Sequence, residues 1–67
     1  MDSKVLFESV NHKVRLIERD GRERVAKVIL FESEWDSGCD EACVWLDDAI
    51  DPGILRQSDI ALLQVLD

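Results

Sequence analysis

The sequence predicts a mainly β protein, a small barrel of five short strands with room for a short helix at its start. Three observations carry that expectation. Asp20-Gly21 stands between two apolar-patterned runs, and this dipeptide is the strongest short-range hairpin signal. The run from Arg24 to Phe31 is long and β-branched, and its last four residues, Val28 to Phe31, are apolar without a break. The second half is cut into short apolar runs by Asp47-Asp48, Asp51-Pro52-Gly53 and Gln57-Ser58-Asp59, a spacing that suits short strands.

Taken in order, the first ten residues leave two readings open. Val5, Leu6 and Val10 fit one face of a short amphipathic helix, while Val5 to Phe7 fit an edge strand. From Lys13 to Arg19, basic and apolar residues alternate for two periods, the pattern of a half-buried strand. The unbroken apolar stretch Val28 to Phe31 implies either cover on both faces or a bulge or sharp bend that shifts the alternation midway. Residues 32 to 43 are polar and acidic with one glycine and read as a loop. Val44-Trp45-Leu46 forms a third strand, and Asp51-Pro52-Gly53 a turn in which proline presets φ and glycine supplies freedom. Ile54-Leu55-Arg56 and Ile60 to Leu66 complete the set as strands, although Ile60, Leu63 and Leu66 also fit a helix face.

Sixty-seven residues make one domain, at a size where folding buries only about 60% of the unfolded chain's surface. Homo-oligomerisation is one of the usual remedies for so small a core. Hydrophobic residues at 46% and charged residues at 34% describe a folded chain rather than a disordered one. Asp2 and Lys4 break up the N-terminus and no apolar run approaches membrane length, so neither a signal peptide nor a membrane span is expected and a cytoplasmic location follows. Cys39 and Cys43 are too few for a secreted disulfide framework and read as free thiols.

The net charge of -7 is unevenly placed. Residues 1 to 31 are slightly basic, and no Lys or Arg occurs between Lys27 and Arg56. An acidic surface of this kind repels phosphate backbones and attracts basic protein surfaces.

Two strings resemble the motifs of the Sm/LSm-like family of SH3-like barrels. Val14-Arg15-Leu16 leading into Asp20-Gly21-Arg22-Glu23 resembles the first motif, and Ile54-Leu55-Arg56-Gln57-Ser58-Asp59-Ile60 the second. The resemblance spans roughly residues 6 to 66 and implies a five-stranded barrel. In that family RNA is held by an Asp-x-His/Met-Asn-like string and an Arg-Gly pair. This chain has Glu32-Ser33-Glu34-Trp35-Asp36 and Arg56-Gln57 instead. Direct RNA binding through those residues is therefore not expected, and an acidic Sm-like fold is similar to the bacterial Rho-termination inhibitors, which bind a protein. The alternative is an Sm-like RNA-binding ring in which Lys13, Arg15, Arg22, Arg24 and Lys27 gather on one face.

No catalytic set is readable. His12 sits between Asn11 and Lys13 with no nucleophile to serve. Cys39-Asp40-Glu41-Ala42-Cys43 offers two thiols where a structural zinc site needs four ligands, so neither metal nor cofactor is expected. Asp47 and Asp48, as neighbours near a strand, point to opposite faces and read as a solvated turn. Trp45 points away from Val44 and Leu46, so one of the two faces exposes apolar surface or is covered by a partner. Trp35 is ringed by Glu32, Glu34 and Asp36, which leaves two readings open, an aromatic anchor on a basic surface or a core or lid residue. The expected activity is that of a non-enzymatic module that binds a basic protein surface, such as that of a nucleic-acid-handling protein, and inhibits it. The candidate contact residues are Glu32, Glu34, Trp35, Asp36, Asp40, Glu41, Asp47 and Asp48.

Overall fold

A computed structural model of the chain describes residues 2–50 and 53–67. The element order is α1 (Ser3–Glu8), β1 (Lys13–Glu18), β2 (Glu23–Glu32), α2 (Glu34–Ser37), β3 (Cys43–Leu46), β4 (Ile54–Arg56), a 3-10 turn (Gln57–Asp59) and β5 (Ile60–Val65). All five strands lie in one antiparallel sheet of order β4-β3-β2-β1-β5. The sequence-predicted fold class holds, with the N-terminal ambiguity resolved as helix.

The order of the sheet dictates its curvature. Laid flat at about 4.8 Å per strand, β4 and β5 would stand roughly 19 Å apart. Yet the 3-10 turn of Gln57–Asp59 alone carries the chain from one to the other, and at about 2.0 Å rise per residue it covers roughly 8 Å. The sheet must therefore curl until its two edges approach, enclosing one core of Leu6, Val14, Leu16, Ala26, Val28, Ala42, Val44, Leu46, Leu55 and Ile60.

Helix α1 is too short to persist by itself. Asp2 caps its start by accepting from the Lys4 N–H at 2.9 Å, and the buried Ser9 hydroxyl donates to Leu6 O at 2.6 Å at its end. Leu6 plugs the barrel, and the Phe7 ring meets Phe31 edge-on with centroids 5.5 Å apart. The chain enters β1 through Asn11 at φ 70, a conformation that asparagine adopts more readily than most residues.

The Asp20-Gly21 hairpin forms, but not as a two-residue turn. Only Gly21 has positive φ, at 92, whereas a two-residue type I′ turn requires it at both central positions. Asp20 contributes instead through its side chain, which accepts from the Arg22 N–H at 2.9 Å. Midway along β2 the pairing with β3 shifts between Val28 and Leu30. Of the two readings that the apolar run leaves open, this is the bulge. Val28 faces the core, Ile29 and Leu30 both reach the surface, and Phe31 turns back in against Val44.

The acidic segment differs from the expected plain loop. A single helical turn, α2, follows β2 directly and ends at Gly38, whose φ of 78 lets the chain reverse. The expected Asp51-Pro52-Gly53 turn falls largely outside the described residues; Gly53 itself accepts from the Leu46 N–H at 2.8 Å.

Candidate protein-binding surface

The acidic residues fall into two groups at opposite ends of β3. Glu32, Glu34, Trp35, Asp36, Asp40 and Glu41 precede the strand, and Asp47 and Asp48 follow it. Four residues of strand at about 3.3 Å each separate them by roughly 13 Å.

The first group is built around α2. Trp35 is 87% exposed, and Glu34 and Asp36 on either side of it in the chain are also exposed. Ser33 begins the turn: its carbonyl accepts from the Asp36 and Ser37 N–H groups at 3.0 and 2.9 Å, and its hydroxyl donates to the Asp36 carboxylate at 3.2 Å. The following loop is fixed at its far end by Glu41, whose carboxylate accepts from the Ser58 N–H at 2.7 Å and the Ser58 hydroxyl at 3.0 Å. Asp40, at φ 65, stands exposed at the tip. Glu32 is half-buried and accepts from the Trp45 indole N–H at 2.7 Å. That bond accounts for Trp45: its indole lies on the outer face of β3, half-buried, in a cross-strand row with Leu30 and Ile54. Beside α2, a pocket of about 200 Å³ is lined by Ser3, Phe31, Ser33, Glu34, Ala42 and Gln57.

The second group is structural. Asp47 accepts from the Lys27 N–H at 2.8 Å and extends the β2–β3 pairing. Asp48 corrects the expectation of a solvated turn. Its side chain is 9% exposed and holds the fully buried Arg24 through bonds of 2.9 and 2.7 Å. Arg24 also donates to Ile50 O at 3.0 Å and stands 3.9 Å from Glu18. The Arg24 guanidinium holds the Asp48 carboxyl below the usual carboxylate range, and Asp48 in turn raises Arg24. Burial also removes Arg24 from the basic face that an RNA-binding ring would use. Lys13 and Lys27 do face one another across β1 and β2, next to Arg15, but Arg15 is paired with Glu23 at 3.2 Å.

The remaining candidates lie apart. His12 Nδ1 is 2.8 Å from Asp67 Oδ1, and Asp67 also accepts from the Lys13 N–H; those two contacts, the backbone bond foremost, lower the Asp67 carboxyl. Among the described residues no three His, Cys, Asp or Glu side chains are placed to share a metal ion. A groove of about 270 Å³ between the hairpin and the 3-10 turn is lined by Glu18, Arg19, Asp20, Leu55 and Asp59. Its charges are largely engaged: Asp59 binds Arg56, and Arg19 donates to Ser58 O. Among the described residues no helix is long and apolar enough to cross a membrane. Comparison of the chain with protein-family models, with curated proteins and with solved structures finds no match in any of the three.

Proposed function

We propose that this protein is a non-enzymatic acidic module whose α2 segment docks on a basic protein surface, with Trp35 as the anchor and Glu34, Asp36 and Asp40 as the charged rim. The observation that carries the reading is the exposure of Trp35, at 87%, in a segment that has no Lys or Arg between Lys27 and Arg56. A tryptophan in water leaves a large apolar area unused, and aromatic anchors with a polar rim are what concentrate binding energy at interfaces. Nucleic-acid-binding faces are the basic surfaces such a rim fits best, so occupying one would inhibit its owner. Glu32, Glu41 and Asp48 support this surface or the core rather than the contact itself.

The test is retention of a partner on immobilised protein from its native host, repeated with Trp35→Ala and with Glu34→Lys/Asp36→Lys. Both variants should lose the partner while keeping the wild-type circular dichroism spectrum. Retention unchanged by both would end the proposal. A second reading, an RNA-binding ring, draws on the Lys13–Lys27 pair and on the outer edges of β4 and β5, which pair with no further strand among the described residues and which a neighbouring copy could extend. Tight binding of short RNAs with a steep negative salt slope, together with an oligomeric mass, would favour the ring over the acidic module.

A further inference from the structure

The two cysteines, four residues apart, are brought together by the loop between α2 and β3. Gly38 and Asp40 both have positive φ, at 78 and 65, and the Ser37 hydroxyl donates across the bend to Glu41 O at 2.6 Å. The result is a Cys39 Sγ to Cys43 Sγ distance of 3.5 Å. The two thiols differ in setting. Cys39 is exposed on the loop, whereas Cys43 is buried at the first position of β3, opposite Glu32 and Arg56.

We infer that Cys39 and Cys43 form a peroxide-reactive dithiol, in which exposed Cys39 is the attacking sulfur and buried Cys43 resolves it to an intramolecular disulfide. The arrangement is that of redox-sensing pairs, an accessible sulfur beside a resolving cysteine. Contacts from the Ser37 hydroxyl and the Cys43 thiol lower the Cys39 thiol, while the Glu41 charge opposes them. The Ser37 hydroxyl has one proton, so stabilising a Cys39 thiolate requires it to turn from Glu41 O toward the sulfur. Burial, with the neighbouring Cys39, pushes the Cys43 thiol up to about 11 and keeps it protonated in the resting state.

The chemistry balances with hydrogen peroxide as oxidant. The Cys39 thiolate attacks one peroxide oxygen, the O–O bond breaks, and hydroxide leaves with a proton as water. The Cys43 sulfur then attacks the Cys39 sulfenic acid; the S–O bond breaks, and the departing hydroxide takes the Cys43 proton as a second water. Two thiols lose two electrons and one peroxide gains them. A small neutral oxidant suits the site, because the surrounding acidic segment repels anionic disulfides such as oxidised glutathione.

Intact-mass measurement after brief peroxide treatment tests this. The wild type should lose the mass of two hydrogen atoms, remain a single chain, lose both titratable thiols, and recover on reduction with dithiothreitol. Cys43→Ala should instead stop at a Cys39 sulfenic acid that dimedone captures, and Cys39→Ser should not react at the same dose. The wild-type measurement decides even if a variant fails to fold. Wild type that gains oxygen without pairing its thiols, or that forms covalent dimers, would overturn the inference, as would Cys39→Ser reacting as fast as wild type.

Discussion

Replacing Asp48 by Asn strikes at the buried cation Arg24. The Arg24 side chain is fully buried, and two of its N–H groups point at Asp48 from 2.9 and 2.7 Å. Asn removes the charge and sets an amide donor against a donor. Removing one partner of a buried ion pair costs about 3–5 kcal/mol. Glu18 remains 3.9 Å from Arg24 and offsets part of the loss, so the lower end of that range, about 3 kcal/mol, is expected. A chain of this length has roughly 3–10 kcal/mol in all, so the melting point should fall by at least about 12 °C. Urea unfolding followed by tryptophan fluorescence and circular dichroism reads the change. The pH dependence follows from the lowered Asp48 carboxyl. Its contribution is present above its unfolded value of about 3.9 and is lost as pH falls through the lower folded value. The gap between wild type and Asp48→Asn should therefore be constant near neutrality and shrink below about pH 4. The triple variant Glu18→Leu/Arg24→Met/Asp48→Leu should recover most of the stability, because apolar residues of similar volume replace such networks at little cost. A loss under about 1 kcal/mol in Asp48→Asn, the size of an exposed pair, would refute the reasoning.

Three further substitutions probe other parts of the structure. Leu6→Ala should cost about 2–5 kcal/mol and undock α1, read as lower stability together with faster amide exchange in residues 3–8. Gly21→Ala should cost roughly 1 kcal/mol by chemical denaturation, because the turn holds φ at 92. Trp35→Ala should leave stability within about 0.5 kcal/mol of wild type, since its ring is in solvent; a larger loss would mean that the ring is packed.

The parts of the fold that were legible from the sequence share a cause. Asp20-Gly21 and the apolar run Val28 to Phe31 are local signals: the first gives the hairpin it implies, and of the two readings the second leaves open the structure shows the bulge. Arg24 was not legible. Along Arg24-Val25-Ala26-Lys27-Val28 the core-facing parity holds one cation and the outward parity the other. What selects Arg24 is Asp48, 24 residues later in the chain. Helix α2 was missed for a different reason: four residues are too few to show a period, and the turn is set by the Gly38 reversal and the Ser33 carbonyl. Within the candidate surface, the exposure of Trp35 and Asp40 agreed with the charge pattern. The partners of Glu32, Glu41 and Asp48 could not be anticipated, since each is bound by a residue of a different element.

The sheet order also fixes when its pieces can be assembled. Strands β1 to β4 form a meander in which every pairing joins consecutive strands. β5 alone pairs with a strand at the other end of the chain, Val14 with Val65 and Leu16 with Leu63. Closing so long a loop costs chain entropy that no contact repays until the rest of the barrel exists. Docking of β5 is thus expected to follow the rate-limiting step, and Leu63→Ala should speed unfolding far more than it slows folding. Equal effects on both limbs of the chevron would refute this order, because the Leu63 contacts would then already be partly formed in the transition state.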